Sequence, residues 1–93
     1  MNELKDTIGL MTSNDYKERF KAEYWQTKIR YEKLKDLTTK IEAAGRTYCY
    51  GKENAVEAPK HDCPEDVLHD QQSIMGRYLH ILEVRAVIEG IEL

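Results

Sequence analysis

The last third of this 93-residue chain, Asp62 to Leu93, limits its architecture most. It carries one proline, Pro64, near its start, and glycine only at Gly76 and Gly90. Ile, Leu, Val, Met and Tyr recur through it on a helical period. One helix of that length in so short a chain leaves room for a single comparable partner. Val67, Gln71, Ile74, Tyr78, Ile81, Arg85 and Ile88 trace one seam, and Leu68, Met75, Leu79, Leu82 and Ala86 trace a second beside it. Two adjacent apolar seams exceed what one partner helix covers. The pattern therefore predicts self-association, because monomers seldom leave large apolar patches bare.

The partner helix is legible between Asp15 and Ala44, which contain no Gly and no Pro. Phe20, Tyr24, Thr27, Tyr31, Leu34, Thr38 and Ile41 alternate by four and three, a heptad-like seam, and Trp25, Ile29 and Leu37 widen it. Ser13 and Asn14 are offered as N-caps, with Asp15 and Glu18 in the first turn, and Gly45 as the stop. A helix over 14–44 would run about 45 Å. Ahead of it, Leu4, Ile8 and Met11 form a short amphipathic stripe over 1–12, which should lie on something larger. The second long helix, 62–93, opens with an Asp62-x-x-Glu65 capping box and Pro64 in its first turn. The connection 45–61 is irregular and is compatible with a miniature hairpin or a loop. The expectation is one domain, 1–93, of the all-α class. It is an antiparallel two-helix hairpin with a short N-terminal helical segment, assembled as a homo-oligomer.

Composition narrows the function classes. Charged residues make up 33%, aromatics 9%, and the net charge is −3. That balance is too apolar for a disordered tail and lacks the basic excess of a binder of nucleic-acid polymers. No segment approaches the ~20 apolar residues of a membrane span, and the first fifteen residues lack a signal-peptide core. A cytosolic protein is expected, with Cys49 and Cys63 as free thiols in preference to a bridge.

Side-chain chemistry gives weaker signals. His61, Cys63, Cys49 and His69 include zinc-ligand types, but their spacing matches no closed four-ligand pattern. No nucleophile elbow, phosphate-binding glycine loop or metalloprotease helix is present, so no catalytic residue and no cofactor are assigned. Arg46, Tyr48, Tyr50 and Lys52 fall on alternate positions, so an extended segment would present all four on one side. Tyr16, Lys17, Arg19, Phe20 and Tyr24 form a second aromatic and basic group. Tyr and Arg stack on bases and Arg or Lys neutralises phosphate, while the competing reading is ordinary core packing and solubilisation. Arg85 falls on a seam and needs a partner, either an anion or Glu83 or Glu89 of a neighbouring copy.

Two blocks carry a resemblance: Asp15-Tyr16-Lys17-Glu18-Arg19-Phe20 with Glu23-Tyr24, and Gln71 through Met75 with Tyr78-Leu79, Ile81-Leu82-Glu83 and Arg85-Ala86. They resemble a family of small phage proteins named after crAss-like phages. More loosely, the hairpin is similar to the helical-hairpin sponges with which phages sequester the cyclic-nucleotide alarm signals of CBASS and Thoeris defence. The resemblance implies a non-enzymatic anti-defence protein in the host cytoplasm. Its partner would be a signalling nucleotide, a cyclic oligonucleotide or one of ADP-ribose type, held between protomers. Stacking would come from Tyr16, Trp25, Tyr48 or Tyr50, and phosphate contacts from Arg19, Arg46, Lys52 or Arg77. The alternative is a helical adaptor or inhibitor that docks a host or phage protein through its apolar face. Hydrolysis of the nucleotide is a third reading, and it lacks a metal or general base.

Overall fold

The computed structural model describes residues 1–48 and 56–93. A 3₁₀ turn, Leu4–Thr7, leads into α1, Ile8–Met11, followed by the two long helices α2, Tyr16–Tyr48, and α3, Glu65–Glu89. Among the described residues there is no strand. The fold is all-α, as the seams require. Tyr16 meets Glu89, Tyr24 meets Glu83 and Thr38 meets Gln72, so α2 and α3 run antiparallel.

Burial follows the heptad pattern. Phe20, Tyr24, Thr38 and Ile41 of α2 are buried, with Thr27, Tyr31 and Leu34 half-buried between them. Of the two α3 seams, Leu68, Leu79, Leu82 and Ala86 are buried against α2, and Met75 is half-buried. The other seam faces outward, with Ile74 66% and Ile88 78% exposed. Phe20, Tyr24, Leu79, Leu82, Ala86 and Ile91 form the main core cluster, edged by Trp25 and Tyr31. The resulting body measures 55 × 25 × 20 Å, with a radius of gyration of 17.1 Å against about 12 Å for a compact chain of this length. Its exposed area is 6954 Å², whereas a compact 10.9 kDa monomer exposes about 5,600 Å².

Local chemistry moves several element ends from where the sequence alone places them. Asp15 is the residue that caps α2. Its Oδ1 accepts from the Lys17 N–H at 3.0 Å, and its own N–H donates to Ser13 Oγ at 3.0 Å. Gly45 does not stop the helix, which continues to Tyr48. Its backbone is not left-handed, so it acts as an ordinary, if costly, helical residue. The Asp62–Glu65 capping box does not form: Pro64 precedes the helix in an extended conformation. Glu65 instead reaches forward to His69 at 3.3 Å. At the other end α3 stops at Glu89, short of Leu93. Gly90 adopts φ 69° there, and the Ile91 N–H returns to the Ala86 carbonyl at 2.8 Å, dropping Ile91 into the core.

The N-terminal arm lies on α2 alone. It does not use the stripe expected of it, because Ile8 and Met11 remain exposed. The arm begins as a 3₁₀ turn, whose three residues per turn align Leu4, Thr7 and Leu10. Thr7 is 1% exposed, and its Oγ1 donates to the Leu4 carbonyl and accepts from Gln26 Nε2.

Candidate functional site

The polar residues between the helices are spent on fastening them. At the open end of the hairpin, the Tyr16 hydroxyl donates to Glu89 Oε1 at 2.9 Å. Arg85 bridges both, with Nη2 2.6 Å from the Tyr16 oxygen and Nε 3.1 Å from Glu89 Oε2. Its guanidinium carbon also lies 5.0 Å from the Phe20 ring centroid. Arg85 thus has a partner within its own chain, four residues on. Helical spacing makes this the nearest solution for an Arg followed by a Glu at i+4. The Glu89 bond raises the pKa of both Tyr16 and Arg85.

Two further Tyr–Glu bonds follow along the same seam. The Tyr24 hydroxyl donates to Glu83 at 2.7 Å, and the Tyr78 hydroxyl to Glu23 at 2.8 Å. Burial, then the Glu83 bond, pushes the Tyr24 phenol up to about 12. The Glu23 bond leads the upward shift of Tyr78. These tyrosines act as donors to carboxylates, with their rings on apolar neighbours.

The candidate site lies midway along α3. Tyr31 approaches Gly76 closely, so that an added Cβ there would come within 3.3 Å of Tyr31 Cε1. Beside this close approach runs an open groove whose polar lining is Tyr31, His69, Gln72, Ser73, Arg77, Tyr78 and His80. Among the described residues no carboxylate lines it, although Glu65 and Glu23 bond to His69 and Tyr78 of its lining. Ile74 and Ile81 give it an apolar border. The side-chain oxygen of Gln72 and the Lys35 carbonyl share the single proton of the buried Thr38 hydroxyl, so the amide is held by α2. Donors and a cation beside an aromatic ring suit a planar, anionic ligand. Neither Tyr31 nor Gly76 stands out as a site residue in the sequence. The available signal is a glycine in the middle of a helix with no turn to explain it.

The residues expected to bind a ligand are spread along the rod. Arg77 lines the groove. Tyr16 is held in the clasp with Glu89 and Arg85, and Arg19 Nη1 donates to the Ser13 carbonyl at 2.9 Å. Trp25 sits edge-on to Tyr24, at 5.3 Å between centroids, and lines a shallow cleft with Met1, Lys28 and Lys33. Arg46 pairs with Glu42 at 2.9 Å. Arg46 and Tyr48 are helical, so positions two apart point about 200° from each other and do not share the side that an extended segment would give them. Tyr50 and Lys52 lie outside the described residues, as do Cys49 and its pairing. Tyr16 and Arg46 are about 45 Å apart along α2, so one chain does not gather this set into one pocket.

Among the described residues, no three His, Cys, Asp or Glu side chains converge as a metal site, and no helix is long and apolar enough to cross a membrane. No curated protein and no solved structure matches the chain. A family model does: Sequestin, over residues 14–88, from the residue before the α2 cap to the last turn of α3.

Proposed function

We propose a function from one premise: the chain belongs to the Sequestin family. It works by binding and withholding a ligand, without turnover. The ligand is a signalling nucleotide, of cyclic-oligonucleotide or ADP-ribose type, and the protein is a phage anti-defence factor acting in the host cytoplasm. The observation that carries the reading is the family match across both long helices, the elements that build the groove. Supporting the ligand class, the groove's polar lining is cationic or neutral, with Arg77 and His80 beside the Tyr31 ring. Arg77 would meet phosphate. Trp25 and Tyr48, neither held by a hydrogen bond to a carboxylate, are the bases' stacking candidates among the described residues. Tyr16, Arg19 and Arg46 enter only by giving up an internal bond.

The test is a panel of cyclic di- and trinucleotides and ADP-ribose derivatives, read by thermal shift and native mass. A ligand at 100 times its Kd stabilises by about 2.7 kcal/mol. Recovery of the unaltered ligand from heated complex separates sequestration from hydrolysis. Absence of any shift favours the second reading, an adaptor or inhibitor docking another protein. That reading draws on the bare outer seam of α3, where Ile74, Ile81 and Ile88 are exposed.

A further inference from the structure

The outer face of α3 is written symmetrically about Ile74. Val67 and Ile81 lie seven residues to either side of it. On one flank of this stripe stand Asp70 and Arg77, and on the other Gln71 and Tyr78. The three pairs share one centre, to within half a residue. All of these residues but Ile74 therefore have a complement at the mirrored position: apolar with apolar, acid with base, amide with phenol.

We propose that this face pairs antiparallel with the same face of a second copy, about a two-fold axis at Ile74. In an antiparallel pair related by a two-fold axis, residues on one flank meet residues of that same flank. Asp70 then meets Arg77 of the second copy, twice, and Gln71 meets Tyr78, twice. Val67 packs on Ile81, and the two Ile74 side chains meet at the axis. Among the described ion pairs neither Asp70 nor Arg77 has a partner within the chain, although all the other arginines on the two helices save Arg30 have a hydrogen-bond acceptor. The apolar line of this face is bare, with Val67, Ile74 and Ile81 all exposed. The arm lies on α2 alone and leaves this face clear.

The pairing goes beyond the nucleotide reading and does not depend on it, but it completes the groove. Ile74 and Ile81 border the groove on the side where the second copy docks. The partner supplies the missing wall, and its Asp70 positions Arg77 at the rim. A carboxylate engages one edge of a guanidinium and leaves further N–H donors for an anion.

Charge reversal tests the register. Without any nucleotide, the unaltered protein is expected to sediment as a dimer. Asp70→Arg and Arg77→Asp alone should each weaken the dimer more than about tenfold, since each sets like charges opposite. The double variant D70R/R77D should restore it. Ile74→Cys, in a background with Cys49→Ser and Cys63→Ser, should cross-link to itself on oxidation, whereas Val67→Cys should not. A monomeric unaltered protein, single variants that stay dimeric, a double variant that stays monomeric, or self-linking of Val67→Cys would each overturn the proposal. All positions changed on α3 are exposed, so folding is not at stake. A dimer that ignores every nucleotide would sink the functional reading and leave this one standing.

Discussion

Tyr24 on α2 and Glu83 on α3 are joined across the hairpin by a 2.7 Å hydrogen bond whose donor ring is buried and whose acceptor helix face is exposed. A phenol so placed keeps its proton. Ionisation would put a negative charge in an apolar surround beside a carboxylate, and its pKa stands at about 12 against 10.0 for a free tyrosine.

The sign of the linkage follows. The folded pKa is above the unfolded one, so the contribution to stability is full below pH 10.0 and is lost as pH rises towards about 12. Alkaline titration followed by tyrosinate absorbance should show a late class of tyrosine, and helicity should fall over the same window. Tyr24→Phe should take one phenol out of that class, leaving Tyr16 and Tyr78, and cost about 1 kcal/mol at neutral pH, because Glu83 can turn to water. A late class undiminished by the substitution would mean that Tyr24 does not belong to it.

Gly45 and Gly76 are both helical, but a Cβ at Gly45 meets nothing within 4 Å while one at Gly76 meets Tyr31. Gly45→Ala should therefore stabilise by roughly 0.5–1 kcal/mol through backbone entropy. Gly76→Ala should gain less or lose, since the Tyr31 ring must move by a few tenths of an ångström. Paired denaturant melts decide the matter. Equal gains at both positions would show that the Tyr31 contact is not tight.

Thr38 is 2% exposed and holds the Gln72 amide. Thr38→Val preserves shape but strands the Gln72 carbonyl, at a cost of about 1–2 kcal/mol. Adding Gln72→Leu should return much of it, since two apolar groups replace a bonded pair. A double-mutant cycle with no coupling would refute the pairing.

Both long helices and the division of α3 into two seams were readable, because period and burial share a cause: each seam faces something different. Element ends were less readable. Gly45 resembles a stop, yet the helix runs through it to Tyr48. Asp62 and Glu65 have cap spacing, but His69 one turn later competes for the same carboxylate. The arm inverted its burial pattern because a 3₁₀ turn counts by three. At the site, Arg77 was named beforehand, but only as one of four phosphate contacts implied by the family resemblance. The approach of Tyr31 to Gly76 depends on which residues of α2 fall opposite which of α3, and spacing along one strand of sequence does not carry that. Tyr16 was read as a stacking ring, and the engagement of its hydroxyl by Glu89 and Arg85 depends on the same register.

Heptad seams are indifferent to a slip of seven residues, since apolar side chains recur at that interval. The tyrosine–glutamate bonds are not indifferent. The donors on α2 are eight residues apart and their acceptors on α3 six, so after such a slip neither Tyr16 nor Tyr24 would find a carboxylate opposite. Tyr78 would face Arg30 or Tyr16 in place of Glu23. The grease between the rods sets how strongly they adhere, and the phenols act as a vernier that admits a single alignment.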